Sequence, residues 1–266
     1  METHMIFETH AHYDDDAFNE DRELLLDSMN ENGIGYIVNA CASLESLKET
    51  EELTEKYPFV YGAFGIHPDD AEKMTEDTLQ EIRRLVRLPK AVAIGEIGLD
   101  YYWHKEEQEH AVQKKMFLAQ MEIAREEKMP FMIHSRDAAK DTLDIVKDCM
   151  SAGMYGGIIH CFSYGKEMAR EYLNMGLYLG IGGVVTFKNA KKLKEVVEYA
   201  PLEQLVLETD SPYLSPEPNR GKRNSSLNLP YVAEMIAELK GVSKEEVIAV
   251  TEENAKRLLF RKGESI

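Results

Sequence analysis

Short, nearly continuous apolar runs recur along the chain, separated by longer amphipathic stretches. The runs are "MIFETHAH", "GYIVNACA", "VYGAFGIHP", "AVAIGEIGLD", "PFMIHSRD", "GGIIHCFS", "LYLGIGGV" and "LVLETDSPYL". An apolar run of this length without alternation is the pattern of a strand covered on both faces. Between the runs the period lengthens to that of a helix. In "EEQEHAVQKKMFLAQMEIAREEK", Val112, Met116, Ala119 and Ile123 recur at helical spacing. "SKEEVIAVTEENAKRLLF" opens with Ser243 and Glu246 three apart, a capping-box signature. Strands alternating with helices over this length predict a single-domain α/β chain folded as a (β/α)8 TIM barrel. An open doubly wound sheet uses the same units. Two features favour the barrel. No glycine-rich phosphate turn follows the first strand, and polar residues recur at the C-terminal end of strand after strand.

Composition narrows the class. The 266 residues are 44% hydrophobic, enough for one large core. No apolar run reaches the ~18 residues of a membrane span, so no membrane association is expected. The opening "METHMIFETH" lacks a basic region followed by an apolar stretch and does not read as a signal peptide. Residues 1–4 read as an N-terminal extension, with Met5 an alternative start, and residues 5–266 as the barrel domain. Three cysteines without close pairing suit a reducing, cytoplasmic setting. The formal charge of −17 argues against a protein that coats a nucleic-acid backbone. Any phosphodiester would have to be attracted locally.

The candidate chemistry lies at the strand ends. Residues i and i+2 of a strand share a face, so His10 and His12 both aim at the barrel axis, with Thr9 and Ala11 facing the helices. Alone, such a pair reads equally well as hydrogen-bonded core histidines or as metal ligands. The other strand ends decide it. Glu96 ends the fourth, His134 the fifth, His160 the sixth and Asp210 the eighth. Four imidazoles and two carboxylates converging without a cation would be a costly set of desolvated polar groups. Six ligands exceed one tetrahedral ion with an open position, but suit two divalent ions sharing a carboxylate. One ion is expected on His10, His12, Glu96 and Asp210, the other on Glu96, His134 and His160. Asp210 would also position the attacking water and take its proton. Imidazole softness favours zinc or manganese over magnesium.

Several neighbours read as structural. His4 falls at a chain end, and His104 and His110 face solvent. Cys161, next to His160, points by alternation into the helix layer as a small hydrophobe, and Cys41 and Cys149 read the same way. His67 points inward but completes no metal set. Tyr101, Tyr102 and Trp103 are either rim packing or a stacking platform for a base.

The segments "ETHAH", "GIHP", "GEIGLDYY", "IHSR", "HCFS" and "ETDSPYL", in this order, resemble the TatD family of metal-dependent deoxyribonucleases within the amidohydrolase-like superfamily. The resemblance runs from Phe7 to about Phe260. It implies the barrel fold and metal ligands at His10, His12, Glu96, His134, His160 and Asp210. It implies substrate contacts at His67 and Arg136, and it allows magnesium as the metal beside zinc and manganese. Two departures stand out: Glu8 where the family often has Asp, and "RGKRNSSLN" where it commonly shows "RGxxNxP". Arg220, Gly221 and Asn224 fit that second pattern, placing Arg220 and Asn224 near substrate together with Lys222 and Arg223. The implied activity is hydrolysis at a DNA strand end, trimming single-stranded 3′ ends, with no obligate protein partner evident. The alternatives are a related two-metal barrel acting on an aminoacyl-tRNA ester, lactone, amide or phosphotriester, or a non-catalytic barrel. The last would need a missing ligand, and none of the six is missing.

Overall fold

The computed structural model describes residues 4–260. Eight parallel strands occur in the order of the sequence: β1 (Ile6–Ala11), β2 (Ile34–Ala40), β3 (Val60–Ala63), β4 (Ala91–Asp100), β5 (Phe131–Arg136), β6 (Gly157–Ile159), β7 (Tyr178–Ile181) and β8 (Leu205–Leu207). Each pairs with the next. The sheet closes just beyond β8. His12 N–H donates to Ser211 O at 2.8 Å, and Asp210 N–H to His10 O at 3.0 Å. The helices on the outside are α1 (Arg22–Asp27), α2 (Leu44–Lys56), α3 (Glu76–Leu85), α4 (Glu107–Glu126), α5 (Ala139–Ser151), α6 (Lys166–Asn174), α7 (Lys191–Tyr199), α8 (Leu229–Lys240) and α9 (Lys244–Leu259). None of them is long and apolar enough to cross a membrane.

The barrel interior is apolar at one end and polar at the other. Phe7, Val38, Ala63, Val92, Met132, Ile158, Tyr178 and Val206, one from each strand, form one buried cluster. Leu258 and Leu259 of α9 belong to the same cluster and close that end. Two residues further along β5, β6 and β8 the interior positions become His134, His160 and Glu208, and then Asp210. Strict alternation carries these over from the apolar floor. It fails on β1. Phe7 and His10 are three apart yet both belong inside, which a register shift between Glu8 and Ala11 allows. Thr9, expected to face the helices, spends its hydroxyl on Leu207 O of β8 at 3.0 Å.

Two glycines make room for the polar layer. A Cβ on Gly98, at φ +146, would stand 1.9 Å from His134 O. A Cβ on Gly180 would stand 2.1 Å from Glu208 Oε2. Any side chain at either position displaces the strand or the carboxylate.

The face of α4 differs in part from the sequence expectation. The buried residues are Gln113, Phe117, Gln120, Met121, Ile123 and Ala124, so Ile123 is buried as expected while Val112, Met116 and Ala119 are only half-buried, one position short of the stripe. The reason is polar. Gln113 accepts from Asp100 N–H at 3.0 Å and donates to Asp100 O at 3.1 Å. Gln120 does the same for Ile66, at 2.8 and 3.1 Å. A helix thus clamps the backbone beside Asp100 and His67. At the other capping site, Ser243 Oγ accepts the Glu246 N–H at 3.1 Å. His4 is also tied down, with Nδ1 2.8 Å from Glu252 Oε2 of α9. The rest of the expected extension, residues 1–3, lies outside the described residues.

Candidate metal centre

The C-terminal strand ends bring all six predicted ligand residues together. His10 Nε2 lies 3.2 Å from His12 Nε2 and 3.2 Å from Glu96 Oε2. His12 Nε2 lies 3.5 Å from the same Glu96 oxygen and 3.3 Å from Asp210 Oδ1. The other Glu96 oxygen, Oε1, is 2.8 Å from His134 Nδ1 and 3.8 Å from His160 Nε2. Asp210 Oδ1 reaches across, 3.5 Å from His160 Nε2. Glu96 therefore presents one oxygen to each of two imidazole sets, and Asp210 stands between them.

This donor set fits divalent cations. Four donors at bond lengths of about 2.0–2.1 Å from one tetrahedral ion stand about 3.3–3.4 Å apart, which is the spacing found around His12. The ring of His10 is stacked on that of His160, with centroids 3.4 Å apart. Two parallel buried imidazoles gain nothing from each other if both are protonated. Electrostatics point the same way. Burial opposes charge on Glu96, but His10 and His160 hold its carboxyl well below the usual range. Burial likewise opposes protonation of His12 and His134, yet Asp210 and Glu96 push His12 up to about 9, and Asp100 and Glu96 push His134 up to about 9. The carboxylates hold positive charge on these rings, a role a cation fills without the protons.

Surrounding carboxylates fix the rings. Asp100 Oδ2 is 3.0 Å from His134 Nε2, and its other oxygen accepts the N–H groups of Tyr102 and Trp103 at 2.8 and 3.1 Å. Glu208 Oε1 is 3.2 Å from His160 Nδ1 and accepts the Cys161 N–H at 2.6 Å. Glu8 Oε1 accepts from the backbone of His10 and Thr209 at 3.1 and 2.9 Å, and Oε2 from Ser226 Oγ at 3.0 Å. It ties the first strand to the last. Asp100, Glu208 and Glu8 were not singled out as site residues from the sequence. Their signal was present: each lies two or four residues from a predicted ligand, Glu8 within β1, Asp100 at the end of β4 and Glu208 just beyond β8.

Several expectations are corrected. Strand β6 ends at Ile159, and Cys161 lies in a turn at φ +45. Its side chain does not enter the helix layer but lines the same cavity as His160. Burial pushes its thiol up to about 12, so it is no thiolate. His67 lies beyond the end of β3. Its ring meets His134 edge-on at 4.3 Å, and its Nε2 is 3.8 Å from Glu96 Oε1, so with Glu96 and His134 it does form a metal-sized group. His67 Nδ1, however, accepts the Asp69 N–H at 3.2 Å as a helix cap, which leaves the proton on Nε2 in the neutral ring. His104 is not simply solvent-facing: it bridges Asp69 at 3.0 Å and Glu109 at 3.1 Å. His110 stacks on Tyr101 at 3.6 Å.

Among the expected substrate contacts, Arg136 is exposed at the rim, its guanidinium 4.0 Å from the Tyr102 ring centre. Arg220 lies 4.2 Å over the Phe187 ring. Asn224 does not face substrate. It is fully buried, donates to Thr209 O and Tyr213 O at 3.1 and 2.8 Å, and accepts from Ser225 N–H and Asn228 Nδ2. It is the internal clamp of the loop after β8. Arg223 is taken up by Asp21, at 2.7 and 2.6 Å.

A cavity of about 720 Å³ opens over the centre, lined by His12, His67, Glu96, Trp103, Arg136 and Asp210 among others. A second hollow near Glu49 and Lys56 holds none of these groups.

Comparison with known proteins gives this geometry its family. The model of the TatD related DNase family matches residues 7–260. The uncharacterized metal-dependent hydrolase YabD of Bacillus subtilis is 45% identical over 254 residues, covering 96% of this chain and 98% of YabD. The 3′-5′ ssDNA/RNA exonuclease TatD of Citrobacter rodentium is 34% identical, covering 85% of this chain and 87% of that protein. The crystal structure of YJJV, a TatD homologue from Escherichia coli K12, superposes with a TM-score of 0.88 at 27% identity, over 96% of this chain and 97% of that one. With matched sequence and fold over nearly its whole length, and a strand-end cluster suited to cations, the chain belongs to the TatD family of metal-dependent hydrolases.

Proposed function

We propose that the protein is a two-cation phosphodiesterase that trims the 3′ end of single-stranded DNA. The observation that carries the reading is Glu96, whose two oxygens face two separate imidazole sets. His10, His12, Glu96 and Asp210 would hold one divalent ion, and Glu96, His134 and His160 the other. Zinc, manganese and magnesium all suit oxygen and imidazole donors to differing degrees. Bound ions supply Lewis acidity toward the phosphoryl oxygens and acidify a water nucleophile.

The chain's own groups do the rest. Asp210 is ionised, since His12 and His160 outweigh its burial and hold its carboxyl far below the usual range. It accepts a proton from the attacking water. The water oxygen joins phosphorus, and the ester bond to the leaving oxygen breaks. His67 donates from Nε2, and Arg136 from its guanidinium, to the phosphate oxygens as charge grows there. Arg220 and Lys222 at the rim attract the backbone locally on a chain of net charge −17. The exonuclease name of the Citrobacter relative supports the choice of substrate.

A substrate panel under several metals tests this. Single- and double-stranded DNA, RNA, small esters and lactones are compared at equal enzyme. The expected result is chelator-sensitive release of nucleotides, fastest from single-stranded DNA. Faster turnover of a lactone or carboxyl ester than of any nucleic acid overturns it.

A further inference from the structure

We propose that Trp103, flanked by Tyr102 and Arg136, is the platform on which an unpaired base of the substrate strand stacks. The proposal rests on the nucleic-acid reading above and adds how the enzyme recognises a free strand.

Position comes first. Trp103 lines the same cavity as Glu96, His134 and Asp210. Yet most of its ring stays in water: Trp103 is 64% exposed and Tyr102 42%. Rim packing would bury these faces. A large apolar face left in water beside a reactive centre is the mark of a binding surface. The two rings meet edge to face at 4.7 Å, so Tyr102 buttresses Trp103 without covering it.

Rigidity comes next. A platform is useful only at a fixed distance from the reacting phosphate. The N–H groups of Tyr102 and Trp103 are both held by Asp100 Oδ1, while Asp100 Oδ2 is held by His134 Nε2. One carboxylate thus registers the aromatic loop against the centre. Gln113 grips the same residue's backbone from α4.

Charge completes the site. The Arg136 guanidinium lies 4.0 Å from the Tyr102 ring and 5.6 Å from the Trp103 ring. Among the described residues it makes no ion pair, whereas Arg84, Arg87 and Arg223 on the same acidic surface are each paired with a carboxylate. Lys105 Nζ lies 5.3 Å from the other cation's partner ring, Tyr102. An exposed aromatic pair with an unneutralised cation over the Tyr102 ring matches a nucleotide, whose flat base lies beside an anionic phosphate. A base within a duplex has its faces covered by its neighbours. The platform therefore selects an unpaired one, with little preference among bases.

Trp103 is the one tryptophan of the chain, so it reports its own occupancy. The full protein with divalent metal is titrated with a short phosphorothioate DNA strand and with the same strand carrying abasic residues at its 3′ end. Quenching of tryptophan emission is expected with the first and not with the second. In steady state, W103A raises KM for single-stranded DNA roughly 5- to 150-fold, the range for loss of one stacked base, and W103F recovers most of it. The gap between W103A and wild type shrinks to about twofold on the abasic strand. Equal quenching by both strands, or a W103A KM within about twofold of wild type on the normal strand, overturns the platform while leaving the hydrolase reading intact. If wild type releases nucleotide from no strand, the phosphodiesterase reading falls and takes the platform with it.

Discussion

Asp100 and His134 form a coupled pair, with the carboxylate Oδ2 3.0 Å from Nε2 of the ring. The bond turns Nδ1 of His134 toward Glu96, 2.8 Å away. Burial works against charge on Asp100, but His134 and the Trp103 and Tyr102 amides hold its carboxyl down at about 2. It is an anion at every working pH. Asp100→Asn keeps the shape but loses the charge and one acceptor. It is expected to lower metal affinity or turnover about 10- to 100-fold, the usual cost of losing a residue that orients a metal ligand. Isothermal titration with the divalent ion, alongside kcat, checks this. Unchanged affinity and turnover would show that His134 needs no such orientation.

Asp210 has a different task. Its Oδ1 lies 3.3 Å from His12 Nε2 and 3.5 Å from His160 Nε2, central to the cluster. Asp210→Asn cannot take the proton of the attacking water. Turnover is expected to fall at least about 100-fold with the melting temperature retained. Near-normal turnover would remove Asp210 from the role of base.

Cys161 and His160 are neighbours in sequence with unlike roles. His160→Ala is expected to cost several orders of magnitude, as loss of a cation ligand does. Cys161→Ala is expected to cost less than about tenfold, because burial keeps the thiol protonated and out of the ligand set. Rates of both variants at saturating metal decide it. Equal loss in the two would make Cys161 a ligand alongside His160 and Glu208, with which it shares a metal-sized group.

The barrel was legible in the sequence because both faces of each strand are apolar and the helices announce their period. The strand-end cluster of candidate ligands was legible because polar side chains at the ends of such strands have no structural reason to be there. What escaped has physical causes. Cys161 was misplaced because alternation was carried past the end of β6, into a turn where the rule no longer holds. Gln113 and Gln120 escape an apolar-period reading of α4 because their buried amides clamp backbone and add nothing to the apolar spacing. Asn224 matched a motif position, but only the folded loop shows its amide consumed internally. Asp100 and Glu208 lie two or four residues from candidate ligands, but spacing alone marks them only as neighbours; their pairing with His134 and His160 takes the fold to show.

Metal binding is expected to depend on pH. Against their burial, Asp210 and Glu96 push His12, and Asp100 and Glu96 push His134, up to about 9, so below that pH each ring carries a proton that must leave before it ligates. Affinity is therefore expected to rise with pH from 6 toward 9, about tenfold per unit for each proton displaced. Titration calorimetry in buffers of differing ionisation enthalpy counts those protons. An affinity flat across that range would contradict the protonated state of the two rings.

The central claim is that Glu96 and Asp210 join two cation sites into one centre. Elemental analysis of chelator-stripped protein, reloaded with manganese and assayed in parallel on a 3′-labelled single strand, tests it most directly. Two ions per chain are expected, with activity returning as the second site fills and His134→Ala holding one ion at little activity. Full activity with a single ion bound, or full activity in excess chelator on protein shown to be metal-free, would contradict it.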